Sequence, residues 1–417
     1  MTLPDTDGFH GKPAVLTIFV LTYLGIAIGH IPGLKVNRVG IALLGGIAMM
    51  IFSGVDTHEV VSYVNWPTIF LLFGFFVISA QLRLSGFYDQ VAGGVSARLG
   101  HPARFLLILM VVTAGLSAIL NHDIVVYVFT PIVGAALLRQ RLNPIPFLIA
   151  LTIASNVGAA ATLIGNAQDM MIGEVAHLSF ARYLFWGAVP VTVSLAASYG
   201  LIWYLSKNQL TAAIPAQSAA VQQSYQFDKV HTIKGIVILV LVVGLFFTSF
   251  PKELIALAAA GIHLASTKFR TDDLLRLVEW PILILFMGLF VVTGAFQTTG
   301  YGEQATQWLT HADVNLNHHV TLTLVTAGLS NLIGNSATVM LLLKVVDTTN
   351  PVTAYILALA NSFGGSLLII GSVANLITVQ QARDMGIKIS FWDFARLGIP
   401  CTLAALAALL AWAWMMQ

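Results

Sequence analysis

Long apolar stretches interrupted by short polar ones run through the chain from residue 13 to residue 416. A helix of about 17–25 apolar residues matches the hydrocarbon thickness of a bilayer. The pattern predicts such helices over 13–31, 39–53, 66–82, 145–172 and 183–206, and again over 233–250, 253–267, 280–297, 352–379 and 395–416. Residues 105–138 and 321–346 do not fit. Both have apolar arms around a polar centre, "AILNHDIVV" in one and "NLIGNSATV" in the other. Short arms about a polar tip predict a re-entrant hairpin, since irregular backbone at membrane depth must face protein or water.

The chain also repeats itself. "VNWPTIFLLFGFF" from Val64 pairs with "VEWPILILFMGLF" from Val278, and "TAGLS" begins at both Thr113 and Thr326. "ASNVGAAATLIG" from Ala154 pairs with "ANSFGGSLLIIG" from Ala360, in the same order. Two copies of one unit follow. The first is 13–206, with hairpin 105–138 and broken helix 145–172; the second is 233–416, with hairpin 321–346 and broken helix 352–379. Residues 207–232, rich in Gln, Ser and Ala, form a cytoplasmic linker. Five crossings and one hairpin per unit turn the second copy upside down. With the loop of Lys35 and Arg38 in the cytoplasm, every Lys and Arg gathers there except Lys12, Arg182, Lys252 and Lys344. That is the positive-inside bias, and it puts both termini outside. Reading the hairpins as full crossings would move Arg139 and Arg141 outside. The expected fold class is an all-α integral membrane protein of two inverted-topology repeats, each of about five transmembrane helices plus one re-entrant hairpin.

Composition agrees. Of 417 residues 57% are hydrophobic and 9% charged, against about 25% charged in an average soluble protein. A net charge of +2 and no basic tract give nucleic acid no footing. Cys401 is the only cysteine, so neither an internal disulfide nor a thiolate metal cluster can form. The start "MTLPDTDGFHGK" lacks a basic n-region, so the first apolar run is expected to be a retained span. No HExxH, GxSxG or GxxxxGK[ST] string occurs, and no cofactor is expected.

Two carboxylates fall well inside the apolar segments, Asp123 and Asp169. An ionised group there costs at least about 2.5–3.5 kcal/mol, so its retention points to a wet cavity and proton chemistry. The alternative for each is a neutral, hydrogen-bonded Asp that fixes packing. Around them lies an uncharged cluster: Asn121, His122 and Asn166 in one copy, Asn335, Ser336, Thr338, Asn361, Ser372 and Asn375 in the other. Asn121 and Asn335 sit at the hairpin tips. Gly165-Asn166 and Gly371-Ser372 interrupt the long helices, freeing backbone groups and half-helix N-termini for an oxygen-bearing ligand. The segments hold no buried Arg or Lys to pair a di- or tricarboxylate. His263, on an apolar helix, is expected to be a satisfied core histidine, and His311, His318 and His319 to be solvated loop residues.

These strings resemble the ion transporter superfamily, and within it the arsenical resistance permease (ArsB) and citrate-transporter-like families. The resemblance rests on "NHDIVVYVFTP" from Asn121, "AATLIGNAQDMMI" from Ala160 and "NSFGGSLLIIGSVANLI" from Asn361. It implies inverted repeats enclosing a midplane site and an elevator-type motion of that core against a scaffold. Two positions depart from the family pattern. His122 stands where Asn precedes the Asp, and Gly165-Asn166-Ala167-Gln168-Asp169 replaces Gly-Asn-Pro-x-Asn. Both bring a titratable group toward the site and favour protons over sodium as the coupling ion.

The expectation is therefore a secondary transporter of the bacterial inner membrane, exporting arsenite or antimonite in exchange for protons. Asp123, His122 and Asp169 would carry the proton; Asn121, Asn166, Asn335, Ser336, Thr338, Asn361, Ser372 and Asn375 would bind substrate. A soluble ATPase subunit is a further candidate partner. The rivals are a sodium/proton antiporter, a carboxylate or inorganic anion carrier of the same superfamily, and an intramembrane enzyme using Asp123 and Asp169 as an acid pair.

Overall fold

A computed structural model describes residues 11–29, 33–53, 56–210, 212, 225–301 and 315–416. The rest of the linker, 211 and 213–224, and His311 lie outside the described residues. The first copy runs α1 (Lys12–Ile28), α2 (Arg38–Phe52), α3 (Thr57–Tyr63), α4 (Trp66–Leu84), α5 (Phe87–Ser96), α6 (Pro102–Ile119), α7 (His122–Arg139), α8 (Ile145–Ala159), α9 (Ala167–Val175) and α10 (Phe180–Leu210). The second runs α11 (Lys229–Leu245), α12 (Lys252–Leu264), α13 (Thr271–Arg276), α14 (Trp280–Thr298), α15 (His319–Ile333), α16 (Asn335–Leu342), α17 (Pro351–Gly364), a 3-10 turn (Ile369–Gly371), α18 (Val373–Asp384) and α19 (Phe391–Met415). Proline in the first turn starts α4, α6, α8, α14 and α17, where a missing N–H costs nothing. Among the described residues α4, α6, α7, α10, α14 and α19 are long and apolar enough to cross a bilayer.

Three details differ from expectation. The arms of the first hairpin are not short: α6 and α7 have 18 residues each, whereas α16 has 8. α10 continues to Leu210, four residues into the stretch read as linker. His263 is buried, yet neither ring nitrogen has a hydrogen-bond partner among the described residues, so it is not a satisfied core histidine.

The helices pack as two bodies. α1–α4 and α11–α14 form a scaffold, in which α2 lies on α14 and α4 on α12. α6–α10 and α15–α19 form a core, in which α6 lies on α8, α15 on α17 and α10 on α19. Exchanging the two copies maps each of these pairings onto another or onto itself. The doubled "TAGLS" is explained here. A Cβ on Gly364 would lie 2.8 Å from the Ala327 Cα, and one on Gly158 2.7 Å from the Ala114 carbonyl carbon. Small residues thus let α6 and α15 approach α8 and α17 backbone to backbone, as is common between helices in membranes.

The boundary between the bodies breaks this symmetry. α4 touches α9, α1 touches α15 and α14 touches α16, whereas the mirror-image pairings hardly meet among the described residues. One tie is polar: Lys252 Nζ donates to the Leu178 carbonyl at 3.2 Å and lies 3.9 Å from a Glu174 carboxylate oxygen. The core therefore sits displaced toward one end of the scaffold.

Candidate functional site

Four helices begin at the centre of the core, the 18-residue α7 and the short α9, α16 and α18. Asn121 Oδ1 accepts the Asp123 N–H at 2.8 Å and starts α7; Asn166 Oδ1 accepts the Asp169 N–H at 2.7 Å and starts α9. Ser372 Oγ accepts the Ala374 N–H at 3.3 Å and starts α18. α16 starts after Gly334 alone, at φ 85°, a left-handed backbone that suits glycine and lets α15 reverse within one residue. The His122 N–H donates to the Gly165 carbonyl at 3.2 Å, joining the first hairpin tip to the first helix break.

Each break is braced by side chains of its own copy and by one side chain of the other, Asn156 for the second break and Ser362 for the first. Asn375 Nδ2 holds the freed carbonyls of Gly365 and Leu368 at 2.8 Å, and its Oδ1 accepts from Asn156 at 3.1 Å. Ser372 Oγ donates to Asn156 Oδ1 at 3.0 Å. In the mirror position Asn166 Nδ2 donates to Ser362 Oγ at 3.0 Å and to Asp169 Oδ2 at 2.7 Å. A buried polar group without such partners would cost about 1–3 kcal/mol, so these networks fix one geometry for the breaks.

The N-termini of these four helices open on one cavity of about 80 Å³. Its walls are His122 and Asp123, Ala167 and Gln168, Asn335 and Ser336, and Ser372 and Val373 from the core, with Ile26, Arg38, Ile282 and Leu285 from the scaffold. The His122 Nε2 lies 3.5 Å from Asp123 Oδ1; neither that oxygen nor Asn335 Oδ1 has a hydrogen-bond partner among the described residues. Gln168 Nε2 donates to Ser336 Oγ at 2.7 Å and so joins the two copies at the cavity wall. Helix N-termini carry partial positive charge; with the Arg38 guanidinium they suit oxygen atoms of a solute, and Asp123 supplies a single acid.

Of the residues singled out in the sequence, His122, Asp123, Asn335, Ser336 and Ser372 line the cavity. Asn121, Asn166 and Asn375 stand behind it as caps and braces. Asp169 is fully buried against Asn166 and Ser362, away from the cavity lining. Thr338 and Asn361 are buried and outside the lining, and their side-chain polar atoms have no hydrogen-bond partner among the described residues. The expectation that no cation reaches the site is corrected by Arg38. It begins α2, half-buried, donates Nε–H to the Ile26 carbonyl at 3.1 Å, and faces the hairpin tip at Gly334. A segment-end arginine reads as a loop charge in the sequence, and only packing of the core against α2 brings it inward. Gln168 was missed too, although its place in the interrupted "GNAQD" string was a signal.

A duplicated all-helical fold with broken helices around a polar cavity is that of a secondary transporter, not an enzyme. The profile of the citrate transporter family, CitMHS, matches residues 23–358, and the chain belongs to that family. It is 32% identical over 427 residues to the uncharacterized transporter Rv2685 of Mycobacterium tuberculosis, covering 96% of this chain and 97% of that one. It is 25% identical to the silicon efflux transporter LSI3 of Oryza sativa, covering 90% and 92%. In three dimensions it resembles the YdaH transporter of Alcanivorax borkumensis, with a TM-score of 0.62 at 12% identity over 98% of each chain. The protein is a multi-pass membrane transporter.

Proposed function

We infer that the chain exports a small hydroxylated metalloid acid, arsenite or antimonite, in exchange for protons. The observation that carries this is the cavity: about 80 Å³, met by four helix N-termini, with one cation and one carboxyl on its wall. One water needs roughly 10–15 Å³ of such space, so the cavity has room for a compact solute of several oxygens. A tricarboxylate would call for more positive charge than the single Arg38 guanidinium supplies. The rice relative is named for silicon efflux, and silicon in neutral water is likewise a small uncharged hydroxylated acid. Asn335, Ser336, Gln168 and Ser372 would hold the hydroxyls and Asp123 would exchange the proton, steadied by His122.

We read 13–206 and 233–416 as inverted repeats in a bacterial inner membrane, with the arginine-rich end cytoplasmic. The core would move against the scaffold, and exchanging the copies gives the other end of its travel. Arg38 favours one second reading, a proton- or sodium-coupled carrier of a small anion. Arsenite uptake into everted membrane vesicles tests the first. It should collapse with the pH gradient and be lost in Asp123→Asn while the protein stays folded. Uptake driven equally well by sodium alone, or unchanged in the variant, would favour the second reading or remove Asp123.

A further inference from the structure

Arg83 ends α4 in the first copy, and Gln297 takes the matching place in the second, in the register that pairs Trp66 with Trp280. Gln297 Oε1 accepts from Lys344 Nζ at 3.0 Å. Arg83 is left without such a partner. Its guanidinium lies over the Tyr127 ring of α7, 4.4 Å from the centroid, and its Nε is buried with no hydrogen-bond partner among the described residues. The repeat therefore folds without an arginine here, and stacking on the ring holds this one in place with a buried N–H unsatisfied.

Arg83 lines a second cavity, of about 280 Å³, between α5 and α7. α5 contributes Asp89 and Ser96. Along α7 the cavity runs from Tyr127 to Arg139, about 18 Å of helix, past an apolar strip within 128–136. Tyr225, on the segment entering α11, completes the wall. That segment is pinned. The Asp228 N–H donates to the Ser85 carbonyl at 2.8 Å, and a Cβ on Gly86 would lie 2.9 Å from the Gln226 carbonyl oxygen.

Asp89 Oδ2 and Ser96 Oγ are buried and, like Arg83 Nε, lack a hydrogen-bond partner among the described residues. Buried polar atoms are normally paired, so the three point to an occupant. Two guanidinia and one carboxyl line the cavity, and no ion pair among the described residues includes either arginine. Water would satisfy the hydrogen bonds but leave the positive excess uncompensated. A stacked guanidinium presents its fork to an oxyanion. Here donors arrive from three helices, Arg83 on α4, Ser96 on α5 and Arg139 on α7, which suits a tetrahedral group better than a flat carboxylate. The Asp89 carboxyl adds a condition: a bare oxyanion gives it nothing, whereas a ligand O–H satisfies it.

We propose that the second cavity binds a phosphate group that also offers a hydroxyl, the oxyanion held by Arg83, Arg139 and Ser96 and the hydroxyl donating to Asp89. Hydrogen phosphate from solution has this chemistry, and so has the headgroup of phosphatidylglycerol, whose acyl chains would also cover the apolar strip. The site is separate from the solute cavity. It touches both bodies, through Arg83 of the scaffold and Arg139 of the core.

The purified full chain in nanodiscs tests this in two arms. In phosphatidylcholine discs near neutral pH, inorganic phosphate and sulfate are titrated at constant ionic strength and thermal unfolding is followed. In discs that also contain phosphatidylglycerol, the lipid retained by the protein is counted by native mass spectrometry. A soluble occupant should make phosphate, but not sulfate, raise the unfolding temperature; a lipid occupant should leave phosphatidylglycerol bound. In the arm that responds, Arg83→Gln and Arg139→Gln should each weaken binding about 10- to 100-fold. Arg98→Gln removes the same charge from an exposed residue outside the lining and should leave binding unchanged. Arg139 is exposed at its helix end, so its variant keeps the test open if Arg83→Gln does not fold. No response in either arm, a response to sulfate equal to that to phosphate without retained phosphatidylglycerol, or an equal loss in Arg98→Gln would overturn the site.

Discussion

Removing the Arg38 guanidinium separates two roles that one side chain combines. Its Nε–H donates to the Ile26 carbonyl at 3.1 Å, tying the end of α1 to the start of α2. Its other face looks across the cavity to the tip at Gly334, where a Cβ would lie 3.4 Å from Nη1. A hydrogen bond from a charged donor contributes about 1.5–3 kcal/mol when desolvated and about 1 kcal/mol in an ordinary setting. The half-buried tie to Ile26 belongs at the lower value. Arg38→Gln should therefore cost about 1 kcal/mol of stability. The bond to a solute oxygen inside the cavity belongs at the higher value, and tenfold in affinity is about 1.4 kcal/mol. The KM for arsenite counterflow should then rise about 10- to 100-fold. Arg38→Lys keeps the charge without the planar fork and should fall between. Counterflow kinetics in proteoliposomes, with thermal unfolding in detergent as the folding control, read the two effects apart. A folded Arg38→Gln protein with wild-type KM would refute the placement of the guanidinium against the solute.

Two further predictions concern the frame. Gly158→Ala and Gly364→Ala each place a Cβ against the backbone of Ala114 or Ala327, so neither clash can be relieved by a flexible side chain. Each should destabilise the core by about 1–3 kcal/mol; unfolding indistinguishable from wild type would mean that α6 and α8 do not approach so closely. Asp228, ahead of α11, is held well below the usual carboxylate range by the Lys268 ammonium and then by the His231 backbone N–H. A carboxyl with a depressed native pKa contributes stability fully present above its unfolded value of about 3.9, lost as pH falls through the native one. The gap in unfolding temperature between wild type and Asp228→Asn should thus be constant near neutrality and close only below about pH 4. A gap that closes between neutrality and that point would assign the effect to His231.

Much of the fold was legible because lipid leaves few solutions: apolar runs of bilayer length become helices, and polar interruptions must be enclosed. The repeated strings disclosed the duplication, and their glycines and small residues proved to mark the closest helix contacts. The tips at Asn121 and Asn335 stood out because nothing else justifies amides so deep in apolar sequence. What composition could not disclose was which polar residues face the cavity and which brace it. Asp169 and Asn375 carry the same signal as Asp123 and Asn335, and only the path of the chain through each break decides between wall and buttress. Arg38 was hidden for a different reason. It sits at a helix end, where charge meets water, and gains its place from packing between elements distant in sequence.

The lopsided seam between core and scaffold has a consequence for how such a machine can be tuned. The principal pairings within each body, α2 on α14, α4 on α12, α6 on α8, α15 on α17 and α10 on α19, are kept when the copies trade places, so for the movement inferred above much of that energy cancels. The preference for one resting position then resides in a thin layer of contacts, α1 on α15, α4 on α9 and α14 on α16, with Lys252 gripping Leu178 and Glu174. A ligand or substitution shifts such a balance only by its differential grip on the two positions. Because α1, α14 and α16 also carry Ile26, Ile282 and Ser336 of the cavity wall, the same thin layer that sets the resting position is the one a bound cargo touches.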